Sequence, residues 1–326
     1  MRPTIQLLTL TIGQGLAGGI TVSLAALLWM GGLTQEQAAV LVLMALALAI
    51  VGGIGAFFHM HNLKAARYVL RRLKTSWLSR EALTTGIFGA LLALLAAWTL
   101  WDSPGIASPG YQVLTGITVL AGLVAMWVTA MLYATIPAML SWHTPLTVLN
   151  LMMVGIATGV AVTAVSAPND SGLWIGFAIW LVLTGSIELL HWSHFRRAHG
   201  QIRAETGTGL PLSPYRLQDT GTSKPPYRTQ TQVWPLIHPQ LRRAVKLWTM
   251  GWLYAVPLAG VLAWQGMGWG SARWMLPISA VLGVLAERWL FFADATHSSR
   301  VFFVDEPRTA PRVPMTKTSA QVRTPV

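Results

Sequence analysis

The sequence contains no cysteine. That absence excludes disulfides, thiolate zinc sites and iron–sulfur ligation from within the chain. Charge is scarce too. Asp, Glu, Lys and Arg make up 10% of the residues, where soluble domains carry roughly 25%. Carboxylates are the rarest charged groups, 11 against 23 Lys and Arg, which leaves a net charge of +12. In a chain so poor in total charge, that excess reads as membrane topology rather than a nucleic-acid surface, and no nucleic-acid partner is expected.

What the sequence has in abundance is apolar residues, 53% of the total, and they come in long uninterrupted runs. Runs of this length are bilayer spans, because a helix needs about 20 apolar residues to cross the hydrocarbon core. Eight segments qualify, near 7–31, 36–58, 82–101, 112–137, 145–167, 173–192, 247–265 and 274–293. Thr34-Gln35-Glu36, Asp102-Ser103-Pro104-Gly105 and Pro168-Asn169-Asp170 punctuate them. The first run continues to about Gly32, too long for a cleavable signal peptide, so it reads as a retained helix. The expected fold class is all-α integral membrane, an eight-helix transmembrane bundle spanning 1–294. Within it, His59 to Glu81 reads as a basic amphipathic helix at the interface. Residues 193–242 read as a cytoplasmic loop, and 295–326 as a basic cytoplasmic tail rich in Pro and Thr. Small residues such as Gly13, Gly15, Gly18 and Gly19 let helix backbones approach where no hydrophobic force drives them together.

Positive charge orients the bundle. If the 59–81 connection is cytoplasmic, then 21 of the 23 Lys and Arg residues fall on that side, Arg288 lies in the last span, and only Arg273 is outside. The opposite loops carry Glu36, Asp102 and Asp170. Both termini are therefore expected in the cytoplasm.

The stretch from His59 to Glu81 is the richest in chemistry. A histidine ends the second span and a carboxylate opens the third. Ionisable groups at membrane depth are costly and need a reason. Quinone chemistry offers one: a histidine that donates to one ring carbonyl and a carboxylate that relays protons. Arg67, Arg80 or Lys64 would stabilise negative charge developing on the ring, and Trp77 would cover it. The plainer alternative makes His59 and His61 interfacial helix-end residues and Glu81 an N-terminal helix charge capped by Ser79. Glu287 and Arg288 are adjacent, so they point to different sides of a helix and pair with other helices or serve as a proton path. None of the eight histidines sits mid-span, which argues against bis-histidine haem. His191, His194 and His199 read as a solvated helix end and not as a metal site. Trp101, Trp142, Trp192, Trp269 and Trp274 read as an interfacial belt.

Ser76-Trp77-Leu78-Ser79-Arg80-Glu81 resembles the SWLSRE signature of the membrane-anchor subunits of dimethyl sulfoxide reductase-type molybdoenzymes. Gly13-Gln14-Gly15-Leu16-Ala17-Gly18-Gly19 is similar to that family's first-helix motif, and His59 falls at its H-L-G histidine. The region from Trp127 to Pro145 and the pair Glu287-Arg288 resemble it more weakly. The Gly of H-L-G is His61 here, Leu63 replaces a proline and Ala65 replaces an arginine. The resemblance implies an inner-membrane anchor that binds quinone (ubiquinone or menaquinone) without haem. It implies two partners, a molybdopterin catalytic subunit and a four-cluster iron–sulfur subunit, which hold those cofactors themselves. It also implies quinone contacts at His59 and Glu81, and no independent activity for the anchor. The charge-derived orientation resembles the cytoplasm-facing sulfite dehydrogenase type within the family. Anchors of dimethyl sulfoxide, polysulfide or tetrathionate reductases are alternatives, and a transporter is the alternative from another class.

Overall fold

The structure is a computed structural model, and it describes residues 3–59, 63–101, 105–166, 171–200 and 237–298. The described residues are almost entirely helical. Eight helices are long and apolar enough to cross a membrane, with mean hydropathy between 1.3 and 2.6 over their best windows. They are α1 (Ile5–Trp29), α2 (Gln35–His59), α3 (Trp77–Trp101), α4 (Pro109–Ala134), α5 (Pro145–Thr163), α6 (Ser171–Gly200), α7 (Pro239–Gly266) and α8 (Met275–Ala293).

Helix starts follow local chemistry. Thr4, Ser108 and Thr144 each accept an amide from the first turn of α1, α4 and α5, at 3.4 Å in all three cases. Pro109 and Pro145 occupy the first helical position, where a missing N–H costs nothing. α1 ends with Gly31 at φ 69°, its amide on Leu28 O and the Gly32 amide on Leu27 O. This is the left-handed stop that glycine allows.

α1 is the central post. Its best window is 83% buried, against 33% for α2 and 28% for α3. Glycines explain how it can touch so many neighbours. A Cβ on Gly13 would meet Leu48 O of α2 at 2.7 Å, and one on Gly19 would meet Gly155 O of α5 at 2.6 Å. Gly159 faces the Gly19 backbone in the same seam. Replacing Gly159 with Leu should therefore force α1 and α5 apart and destabilise the bundle by about 1–3 kcal/mol. A fall in the thermal midpoint of the purified complex would show it. Gly176→Ala, placed in open space, should leave the midpoint unchanged.

Several boundaries differ from the hydropathy reading. α6 continues to Gly200 and α7 begins at Pro239, so both ends of the expected 193–242 loop are helical. Residues 201–236, and the tail from 299, lie outside the described residues. α3 starts at Trp77 and takes Ser79, Arg80 and Glu81 into its first turns. The connection before it contains a 3₁₀ helix, Leu63–Arg72, rather than an α-helix. The apolar residues Leu63, Ala66 and Val69 recur every three positions, the period of a 3₁₀ turn. α7 is interrupted by π-helical turns at Met250–Ala255 and Leu262–Gly266. Pro257 lies just after the first of them and has no N–H to give its preceding turn, and the wider turn takes up the mismatch.

Candidate functional site

The first turn of α3 sets the position of Glu81. Ser76 Oγ accepts the Ser79 amide at 3.3 Å, so Ser76, and not Ser79, acts as the cap. Ser79 is buried inside the helix. Arg80 donates to Leu73 O at 2.9 Å and Lys74 O at 2.7 Å, and its guanidinium lies 4.4 Å from the Trp77 ring. Trp77 in turn packs edge-on against Trp127 of α4 at 5.7 Å. These contacts clamp the end of the 3₁₀ segment to the start of α3. Trp77, Ser79 and Arg80, expected as quinone contacts, thus have a structural use in this arrangement.

Glu81 and Thr85 are one turn apart on one face of α3. Both line a cavity of about 480 Å³ bounded by Leu10 of α1, Leu46 to Phe57 of α2, Val69 of the 3₁₀ helix and Leu78 to Ala93 of α3. Among the described residues every other lining side chain is apolar or glycine. The wall on α3, from Leu78 to Ala93, covers about 22 Å at 1.5 Å per residue. The space is therefore long, greasy and polar at one end. The carboxylate is only 6% exposed.

Two other helices reach Glu81. Thr129 Oγ1 of α4 lies 2.7 Å from Glu81 Oε1 and 2.8 Å from Gln14 Oε1 of α1. Gln14 Nε2 donates to Thr85 Oγ1 at 3.2 Å. Gln14 and Thr129 are both buried, and the sequence reading names neither as a site residue. The glycines flanking Gln14 face other neighbours, Gly13 against the α2 backbone at Leu48 and Gly52 and Gly15 against Gly155 of α5. α2 ends at His59, two residues past the cavity-lining Phe57. The side chains of His59 and Arg67 are not described, and His61 lies outside the described residues.

A second buried polar group joins α5, α6 and α8. Contrary to the expectation from adjacency, Glu287 and Arg288 bind each other: Arg288 Nη1 is 2.8 Å from Glu287 Oε1 and 2.7 Å from Oε2. Two long side chains can curl towards one another even when their Cβ atoms diverge. Arg288 also donates to Leu151 O at 3.1 Å, and Asn150 Nδ2 donates to Glu287 Oε1 at 3.1 Å. Glu188 Oε2 is buried without a partner, beside a cavity of about 10 Å³ shared with His191, Glu287 and Asp294. Such a space holds about one water. At the helix ends Asp294 takes Arg242 at 2.8 Å and His199 at 3.5 Å, which ties α6 and α7 to the end of α8.

The reading of His191, His194 and His199 as a solvated helix end is overturned. His191 is 2% exposed and 3.1 Å from Thr147 Oγ1, and His194 lies 3.1 Å from Leu140 O. α6 runs past the hydropathy drop, so His191 sits well inside the helix. Among the described residues no three His, Asp or Glu side chains converge as metal ligands. Trp142 is not a belt residue either: it is buried, stacked on Phe291 at 5.2 Å, and donates to Phe291 O. Trp101, Trp269 and Trp274 are exposed as a belt requires.

The family model for the DMSO reductase anchor subunit (DmsC) matches residues 2–201. A sulfite dehydrogenase subunit of Allochromatium vinosum is 28% identical over 328 residues, covering 93% of this chain and 99% of the relative. No solved structure matches. The family match spans α1 to α6, including the whole Glu81 site, and the chain belongs to the DMSO reductase anchor subunit family, as a multi-pass membrane anchor of an oxidoreductase complex.

Proposed function

We propose that the chain binds membrane quinone in the cavity beside Glu81 and exchanges electrons between it and an iron–sulfur partner subunit. The observation that carries this reading is the cavity itself: about 480 Å³, with Glu81 and Thr85 the polar side chains on an otherwise apolar wall. Its length suits an isoprenoid chain and its polar end suits a ring carbonyl. A bound quinone supplies a two-electron, two-proton carrier that is soluble in the bilayer. The protein's part is to hold a carboxyl group where a proton is needed and to exclude water from it. His59, at the α2 end of the same cavity, is proposed as the second polar contact, with Arg67, His61, Ser79, Trp77 and Arg80 around the ring end. Glu287 and Arg288 with Glu188 form the proposed proton path, in which Glu188, its Oε2 without a partner beside the one-water cavity, is the member able to hold a moving proton.

In this reading the catalytic chemistry belongs to a molybdopterin subunit, linked by a four-cluster iron–sulfur subunit, and the reaction is cytoplasmic oxidation of sulfite to sulfate. Similarity to a sulfite dehydrogenase subunit supports the substrate, and the one-sided Lys and Arg distribution supports the cytoplasmic side. The membrane unit is 1–294 and the tail from 295 a basic extension. Glu81→Gln should lower sulfite-driven quinone reduction by the purified complex on the order of 100-fold. Sulfite oxidation with a dye that takes electrons upstream should be preserved. Normal quinone turnover in both Glu81→Gln and His59→Ala would place the site elsewhere.

A further inference from the structure

Counting hydrogens around Glu81 exposes a choice. Thr129 has one hydroxyl proton, yet its oxygen lies 2.7 Å from Glu81 Oε1 and 2.8 Å from Gln14 Oε1. It cannot donate to both. With Gln14 Nε2 towards Thr85, the chain of hydrogen bonds closes when Glu81 carries a proton. Glu81 then donates to Thr129, Thr129 to Gln14 Oε1, and Gln14 Nε2 to Thr85. The Thr85 oxygen is an acceptor here, and its own proton is left over. Thr84 spends its proton on Arg80 O at 2.9 Å, whereas Thr85 makes no such backbone bond.

Remove the proton from Glu81 and the same four side chains close in the opposite sense. Thr129 donates to the carboxylate and Gln14, its amide turned over, donates to Thr129. Thr85 donates to Gln14 Oε1. An amide turned over keeps its shape and exchanges donor for acceptor. Both ends of this chain, Glu81 and Thr85, line the same cavity. Thr85 therefore offers the cavity a donor in one state and only lone pairs in the other.

We propose that Gln14 and Thr129 couple Thr85 to Glu81, so that the cavity presents a donor to an oxidised quinone when Glu81 is protonated and acceptors to a quinol when it is not. This rests on the quinone assignment above. An oxidised quinone has carbonyl acceptors only, and a quinol has hydroxyl donors, so each redox form fits one sense of the chain. Gln14 and Thr129 are positioning residues. The other ionisable groups around Glu81 are few. α1 carries none among its described residues, and α2 has only Glu36 and His59. α4 contributes Tyr133, within electrostatic reach of Glu81. Arg80 is committed to carbonyls, and the 3₁₀ segment contributes Lys64, Arg67, Tyr68, Arg71 and Arg72.

The test measures equilibrium binding of decylubiquinone and of its quinol to the purified complex in lipid nanodiscs, across pH. In the unmodified complex, affinity for the quinone should fall about tenfold as Glu81 ionises, while affinity for the quinol does not fall. At low pH, Thr85→Val should weaken the quinone about tenfold and change the quinol less than about threefold. Gln14→Leu, which cuts the chain but keeps the volume, should flatten the pH dependence of quinone binding while α1 packs as before. Equal weakening of both redox forms by Thr85→Val at low pH, or an unchanged pH profile in Gln14→Leu, would overturn the coupling and leave the site assignment standing. If neither form binds the unmodified complex, or if Glu81→Gln leaves both affinities and their pH profiles untouched, the site assignment falls and the coupling with it.

Discussion

Arg288→Met should leave no stable membrane subunit. Arg288 is 1% exposed and Glu287 2% exposed, and they neutralise one another across two contacts. Removing the guanidinium strands a carboxylate in the bundle with only the Asn150 amide on it, and it also strips the donor from Leu151 O. Breaking a buried pair from one side costs about 3–5 kcal/mol, a factor of roughly 100 to 4000 in the folding equilibrium. The readout is the yield and thermal midpoint of complex purified in detergent. Glu287→Gln should be comparably damaging, since it leaves the cation alone. The double replacement Glu287→Gln with Arg288→Met removes both charges and should recover much of the loss, because a buried pair adds little over an apolar pair of similar volume. Unchanged yield and midpoint in Arg288→Met would mean that the pair does not hold α8 to α5.

The same pair shows what sequence reasoning can and cannot reach. Eight spans are legible because crossing hydrocarbon forces long apolar runs, whatever the tertiary contacts. Helix ends are less so. α6 and α7 carry on through Arg196 and Arg242 after hydropathy falls, because backbone hydrogen bonding continues past the membrane boundary. Glu81 is visible as a carboxylate opening a span, and the signature around Trp77 draws attention to it. Its partners are not visible. Gln14 and Thr129 are 115 residues apart in sequence, Thr129 and Glu81 are 48 apart, and nothing in local periodicity joins them. Gln14 does carry a usable signal: it is a polar residue inside a glycine-rich, otherwise apolar span, and such a residue needs a partner. Trp142 and His191 mislead for one reason. Both lie where hydropathy marks the end of a span, but neighbouring helices cover them.

Orientation gives the second large effect, and the absence of cysteine makes it simple to measure. A single introduced cysteine is the chain's only thiol. Met267 is 65% exposed in the turn between α7 and α8, and Lys74 is exposed between the 3₁₀ helix and α3. An even number of crossings separates neither terminus from the Lys74 side and puts Met267 on the other. If both termini are cytoplasmic, Met267→Cys should react with a membrane-impermeant maleimide in intact cells, after the outer barrier is opened. Lys74→Cys should react only in inverted vesicles. The expected contrast is close to all or none, because a bilayer excludes the reagent. It follows from the cost of carrying so many Lys and Arg residues across the membrane. The reverse pattern would place the Glu81 end of the cavity, four residues inside α3, on the outer side. Under the proposed function the partner subunits would then have to dock there, since electrons need the iron–sulfur subunit near the proposed ring-binding end. Cytoplasmic sulfite oxidation would be excluded for this chain even if the cavity binds quinone as proposed. The expected pattern joins three features on one face: the Glu81 end of the cavity, the Asp294 clamp where α6, α7 and α8 meet, and the basic connections proposed as a partner's docking surface.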